Sequence, residues 1–259
     1  SKDPESDNYA VVLFNSFETK RNKRIEIILY GSDNEEITRA YYESPEGKYK
    51  YMQFVSMAVL GSEQVFVLAN AYNPDEEGKE VVLATLKKDQ SIVDYNELNF
   101  PKNLSLENGI IRYNIYTKKL VVVAKLVDKD KEKNESPLYV TFIDPVVGKS
   151  EKVVKAGVSK EVAKKITELY GEDAKYKGVP VSLNINKDGG FSVVYEEMGI
   201  VTIQWSDHVS SHAESWNVLV STFDKMGTVL NGYVVFKNFW IDHAGTATWG
   251  GGFGNNYKR

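Results

Sequence analysis

The residues best suited to acid–base or metal chemistry are the three histidines, which lie near the C-terminal end of the chain. His208 and His212 fall in a polar stretch, residues 206–215, and His243 follows Asp242. Imidazole nitrogens and carboxylates suit zinc, and three such ligands with a water form a catalytic centre. A His-x-x-x-His spacing brings two imidazoles together only on a helix, however, and this stretch is predicted to be a loop.

We interpret these side chains as part of a binding surface that holds neither a cofactor nor a metal, because solvated histidines are the simpler explanation. The candidate binding residues are Asp207, His208, His212, Asp242 and His243. The alternative function is a metal-assisted hydrolase, in which the three histidines would be the metal ligands. The metal content of the purified protein distinguishes the two functions.

The composition is that of an ordinary globular protein. Of the 259 residues, 42% are hydrophobic and 26% are charged, so the chain can bury a sizeable core. The net charge of −4 offers no basic field to phosphates, and nucleic acid is therefore not expected as a partner. No apolar run approaches the ~18–20 residues that a membrane helix needs, so no transmembrane segment is expected.

The chain contains no cysteine, which excludes disulfides and thiolate zinc sites and fits a protein outside the cytoplasm. We therefore expect a periplasmic, cell-surface or secreted location. Residues 1–8 are polar and predict a linker, which is compatible with a removed signal or lipid anchor and with association with a membrane complex. A fragment of a longer protein is equally compatible with this sequence.

Short apolar segments between Asp, Asn, Gly and Lys clusters predict strands and turns along most of the chain. They fall into four types, which we designate a, b, c and d in the order in which they follow one another. Type b is apolar on both faces and occurs at residues 11–14, 65–68, 121–124 and 193–195. Type c occurs at residues 25–29, 81–85, 138–142 and 216–220, and type d at 37–42, 92–98, 153–156 and 229–235. Type a occurs at residues 52–60, 110–116, 179–185 and 240–249.

The four-strand unit repeats with a period of about 56 residues, which predicts a repeat architecture. A strand that is apolar on both faces must be covered on both sides, whereas the polar type d suits an outer edge. Four-stranded antiparallel sheets that cover one another are the blades of a β-propeller. We therefore predict an all-β propeller with about four blades over residues 9–259, either complete or part of a longer propeller. A large β-sandwich is the alternative.

The turn Asp224-Lys-Met-Gly227 leads from a type c strand to a type d strand. In this pattern the chain resembles secreted bacterial β-propeller proteins, whose hairpins carry an Asp-Lys-x-Gly turn. The resemblance covers most of the chain but is one of pattern, and the complete turn motif occurs once. It implies a propeller fold and a location outside the cytoplasm.

Residues 158–178 interrupt the repeat and predict a helical insertion. Ser159 is a suitable N-cap, and Gly171 is a suitable end of the helix. The apolar residues at helical spacing are Val162, Ile166, Leu169 and Tyr170. Such a helix either covers its own sheet or docks a partner, and we favour the first interpretation.

In a four-stranded meander the b–c and d–a connections lie at the same end of the strands. The candidate binding residues all fall in these connections or beside them, so the topology predicts one loop rim. The sequence thus predicts a non-enzymatic binding or scaffold protein that uses this rim to bind a protein or a glycan.

Overall fold

The structure is a computed structural model that describes most of the chain. The described residues are 1–15, 18, 20, 25–42, 48–73, 79–101, 104–128, 138–151, 153–171, 176, 178–204, 209–237 and 239–241. They divide into two compact units, residues 1–155 and residues 156–259.

The first unit contains three antiparallel sheets, and each is a meander of consecutive strands. The first sheet has the order β1-β2-β3, with β1 at Tyr9–Phe14, β2 at Ile25–Tyr30 and β3 at Glu36–Tyr41. The second sheet consists of β4 (Tyr51–Leu60), β5 (Gln64–Tyr72), β6 (Lys79–Lys87) and β7 (Asp94–Glu97). The third sheet consists of β8 (Leu104–Asn114), β9 (Lys119–Asp128), β10 (Leu138–Ile143) and β11 (Val154–Ala156).

The middle sheet of this unit is covered on both faces, as the type b pattern predicts. Along β5, Val65, Val67 and Ala69 pack in a core shared with the first sheet. Phe66 and Leu68 alternate with them and pack in a second core, shared with the third sheet. Because three sheets follow one another in series, this unit is not the two-layer sandwich that was the alternative.

The described residues of the second unit form one helix and one sheet. The helix α1 spans Lys160–Tyr170, and the sheet has the order β12-β13-β14-β15. These strands are β12 (Val179–Ile185), β13 (Phe191–Gln204), β14 (Val209–Phe223) and β15 (Val229–Val235). A short strand, β16 (Phe239–Ile241), pairs with β14 beyond the end of β15.

The strand order confirms the predicted fold class, which is all-β with propeller-type sheets of antiparallel strands and one helix. Each complete sheet follows the predicted order a-b-c-d, and the first sheet begins at type b. Residues 1–8 belong to the first unit: Lys2 bridges to Tyr9, and the buried carboxylate of Asp3 accepts a hydrogen bond from the Gly61 N–H at 3.2 Å. The extent of a single domain over residues 9–259 stays a prediction.

Each c–d turn contains a residue with positive φ, and in the last turn this residue is the glycine of the Asp-Lys-x-Gly motif. Each turn carries one residue with positive φ, namely Asn34, Asp89, Gly148 and Gly227. In the last turn the Asp224 carboxylate accepts hydrogen bonds from the Met226 and Thr228 N–H groups, both at 2.8 Å. Asn, Asp and Gly are the residues that tolerate this conformation, and each turn has one of these three residue types at its positive φ.

Two segments near the C-terminal end differ from the prediction. Residues 206–215 were expected to be a loop, but β14 already begins at Val209, and its first residues pair with the end of β13, from Gln204 to Gly199. Polar residues can extend a hairpin because the ladder bonds are made by the backbone. The last type a strand was predicted at residues 240–249. The described part of it is β16, which joins its own sheet through Ser215↔Phe239, and residues 242–249 lie outside the described residues.

None of the helices in the described part of the chain is long and apolar enough to span a bilayer.

Candidate functional site

Aromatic side chains gather at one end of the first two sheets, where type b strands end and type a strands begin. Phe14 ends β1 and is 50% exposed, and Tyr51 begins β4 and is 43% exposed. The ring of Tyr72 stacks on that of Tyr51, with centroids 5.6 Å apart. The ring of Phe14 meets Phe54 edge-on at 6.3 Å. We call Phe14, Tyr51, Tyr72 and the exposed Tyr41 at the end of β3 the aromatic rim.

The b–c and d–a connections meet at this end of the second sheet, as predicted from topology. Asn73 follows β5, and its side-chain oxygen accepts a hydrogen bond from the Lys50 N–H at 2.8 Å. Its amide nitrogen donates to the Lys48 carbonyl oxygen at 2.7 Å. These two bonds fix the backbone that leads into β4, so Tyr51 is held on a rigid support.

Charged groups border the aromatic rim. The Lys48 ammonium lies 2.6 Å from the Glu97 carboxylate, 3.3 Å from Glu80 and 4.9 Å from the centroid of the Tyr49 ring. The hydrogen bond to Glu97 is the main reason why the pKa of Lys48 is raised, and the group therefore stays cationic at neutral pH. The border thus presents a fixed cation between two carboxylates.

A second group of tyrosines packs beside this ion cluster. The ring of Tyr95 lies 6.3 Å from Tyr49 and 6.4 Å from Tyr42. Burial raises the pKa of Tyr95 and of Tyr49, and a hydrogen bond to Glu26 raises the pKa of Tyr41. These phenols are therefore neutral at physiological pH, so they offer apolar surface and hydrogen bonds but no base or nucleophile.

The structure describes only part of the predicted histidine cluster. The residues outside the description are Asp207, His208, Asp242 and His243. His212 lies in β14, with its backbone opposite Val201, and the neighbouring pair is Ala213↔Ile241. The two segments that carry the cluster are therefore adjacent in one sheet, and the binding role of these residues stays a prediction.

The metal content of the purified protein is predicted to be below one transition-metal ion per chain. Among the described residues, no three His, Asp or Glu side chains gather as a possible ligand set. Elemental analysis after gentle purification checks this prediction. About one zinc per chain that disappears in His212→Ala would favour the hydrolase instead.

The aromatic rim was not predicted, although its residues carry a weak signal. Tyr41, Tyr51 and Tyr72 stand at the ends of predicted strands, next to polar connections. Strand propensity alone explains tyrosines in such positions. The exposure of these side chains depends on how the sheets pack, which the sequence pattern does not show.

Comparisons with known proteins add little to these observations. No family model and no curated protein matches the sequence. The solved structure of the Dos1 propeller is similar with a TM-score of 0.43 and 10% identity, over 82% of this chain and 43% of that one. A β-1,3-galactosidase of family GH43, solved with galactodeoxynojirimycin, has a TM-score of 0.36 and 9% identity, over 70% of this chain and 74% of that one. The chain thus spans less than half of the Dos1 propeller structure.

Proposed function

We propose that this protein is a non-enzymatic binding module, located outside the cytoplasm, whose aromatic rim binds a protein partner. The observation that carries the proposal is the exposure of Phe14, Tyr41 and Tyr51 at the strand ends that share one end of the sheets, together with the Tyr51–Tyr72 stack. Exposed apolar patches on soluble proteins commonly mark interaction sites. The absence of cysteine supports the location.

The composition of the rim favours a protein over a glycan. Protein interfaces combine a centre rich in Tyr and Phe with a polar border, and here Lys48, Glu80 and Glu97 form such a border. The two cavities described in the chain are lined by other residues. A rim without a described cavity suits a broad protein surface rather than a small molecule.

The phenols and carboxylates in and beside the aromatic rim support binding rather than catalysis. The pKa values of Tyr41, Tyr49 and Tyr95 are raised, and Glu80 and Glu97 are both paired with Lys48. Because a general base must be free and ionised near neutral pH, these groups are poor candidates for that role.

Replacing two rim aromatics is predicted to weaken partner binding at least about tenfold, since buried aromatic anchors dominate interface energies. The test variant is Phe14→Ser with Tyr51→Ser, and the matched control is Tyr116→Ser. Tyr116 is also 50% exposed but lies in a turn at the opposite end of its sheet. Proteins captured by the tagged full chain from the cells that make it are quantified, and the dissociation constant of a captured partner is then measured with each variant.

The expected partner is retained by the control and lost by the rim variant, with unchanged thermal unfolding of both. A partner that binds both variants equally would contradict the proposal. A glycan array that responds to the wild type and not to the rim variant, without any rim-dependent protein, would replace the protein partner with a glycan.

A further inference from the structure

A polar cleft lies at the other end of the strands, between the second and third sheets of the first unit. Its volume is about 240 Å³. One wall is formed by Thr85 and Lys87 of β6 and by Asp94 and Asn96 of β7, and the other by the turn at residues 145–148. We call this set the polar cleft. It is separate from the aromatic rim, because it adjoins c–d turns rather than b–c and d–a connections.

The turn that forms the second wall is held in one conformation. The Asp144 carboxylate accepts hydrogen bonds from the Val146 and Val147 N–H groups at 2.8 and 3.3 Å. Gly148 has a φ of +71°, and a Cβ atom at this position would lie 2.5 Å from the side-chain nitrogen of Asn96. Glycine therefore satisfies the turn geometry and leaves room for the Asn96 amide, so the cleft is preformed.

One buried polar group of the cleft has no hydrogen-bond partner among the described residues. Thr85 is 3% exposed, and its hydroxyl is unpaired. Buried hydroxyls are ordinarily hydrogen-bonded, which makes an unpaired one at the floor of a cleft notable. The Asn96 amide, which lines the same cleft, offers two donors and an acceptor. Both groups line the cleft.

The charges of the cleft indicate a neutral ligand. The Lys87 ammonium lies 2.6 Å from the Asp94 carboxylate, so the two charges offset each other and neither a cation nor an anion is strongly favoured. A hydroxyl group can donate to Asp94 and accept from Lys87 or Asn96 at the same time. Val146 and Val147 lie at the mouth, but the surface that lines the cleft is almost entirely polar. A polar lining of balanced charge suits a ring with many hydroxyls.

We propose that the polar cleft binds a single sugar residue of a neutral carbohydrate. The volume lies below the ~300 Å³ at which pockets for drug-sized ligands begin, so one pyranose ring fits the space better than an oligosaccharide does. Asp94 accepts hydrogen bonds from adjacent hydroxyls, while Lys87 and Asn96 donate to ring substituents. This site is independent of the proposed protein-binding rim, and its failure would leave that proposal unaffected.

The proposal is tested by titrating the full chain with glucose, galactose, mannose, xylose and N-acetylglucosamine, using calorimetry and ligand-observed NMR. Inorganic phosphate and glycine serve as charged probes. We expect at least one sugar to bind in the millimolar range, and Asp94→Asn to weaken it about tenfold through the loss of charged hydrogen bonds. Asn96→Ala should weaken it as well, while thermal unfolding stays unchanged because exposed ion pairs stabilise little.

The matched control is Glu151→Gln. Glu151 is paired with Lys119 at 2.7 Å, and its side chain is 45% exposed, as is that of Asp94. The control should bind the sugar as the wild type does. The proposal is wrong if no sugar binds at tens of millimolar, if Asp94→Asn binds as tightly as the control, or if only phosphate or glycine binds.

Discussion

Truncating Ile166 to alanine is expected to lower the free energy of unfolding by about 2–5 kcal/mol, the usual range for a buried aliphatic side chain. Ile166 is 6% exposed on α1, and Val162, one turn earlier, is 2% exposed. The helix contacts β15, and a Cβ atom on Gly232 in that strand would lie 3.3 Å from a methyl group of Val162. The apolar face of the helix is therefore packed against its own sheet.

The dependence of α1 on this packing follows from its length. A helix of 11 residues is marginal in water, because nucleation costs more than its few hydrogen bonds return. Its caps are in place: the Ser159 hydroxyl accepts the Val162 N–H at 3.3 Å, and the Gly171 N–H donates to the Thr167 carbonyl oxygen at 2.9 Å. Caps contribute about 1 kcal/mol. Burial of the apolar face therefore supplies the rest of the stabilisation that the helix needs.

Chemical denaturation of Ile166→Ala measures this effect, and Lys164→Ala is the control. Lys164 lies on the same helix, and its side chain is 78% exposed, so its replacement should change stability by less than about 0.5 kcal/mol. If Ile166→Ala unfolds at the same denaturant concentration as the wild type, the helix does not cover its sheet. The alternative interpretation, a helix that docks a partner, would then be correct.

Replacing Tyr176 by phenylalanine is expected to destabilise the second unit by about 2 kcal/mol, because the change leaves buried backbone groups unpaired. The Tyr176 hydroxyl accepts the Leu219 N–H at 3.1 Å. It also lies 2.9 Å from the Tyr195 carbonyl oxygen and 3.1 Å from that of Asn217. The register of β13 and β14 shifts between Glu196 and Met198, so a side-chain hydroxyl pairs ladder groups beside this bulge.

The pH dependence of stability gives a second measurement of the same contact. Burial raises the pKa of Tyr176 above its usual value near 10. The folded protein thus holds this proton more tightly than the unfolded chain does. The resulting stabilisation is complete below about pH 10 and is lost as the pH rises above that value. Tyr176→Phe should lack this part of the alkaline decline.

The control for this prediction is Tyr233→Phe, which removes a hydroxyl from a ring that is exposed on β15. Its stability should match the wild type, both at neutral and at alkaline pH. Equal stability of Tyr176→Phe and Tyr233→Phe would show that the bulge does not depend on the hydroxyl. In that case the backbone groups at the bulge would be paired with other backbone groups once the hydroxyl is removed.

The sequence by itself determined the elements whose signals lie in neighbouring residues. The two-faced apolar pattern at residues 65–68 and 121–124 predicted strands that are covered on both sides, and β5 and β9 are buried in this way. Ser159 and Gly171 predicted the ends of α1. Turn residues such as Gly227 predicted the c–d hairpins, because a positive φ is a local property of the backbone.

Other features were decided only by the tertiary structure. Residues 209–215 pair with the end of β13, and β16 pairs with β14. These pairings depend on backbone hydrogen bonds, which the pattern of polar side chains does not predict. The aromatic rim and the polar cleft join residues far apart in the chain, such as Phe14 with Phe54 and Asn96 with Gly148. Exposure and proximity of this kind arise from how sheets pack against one another, and local periodicity carries no information about that packing.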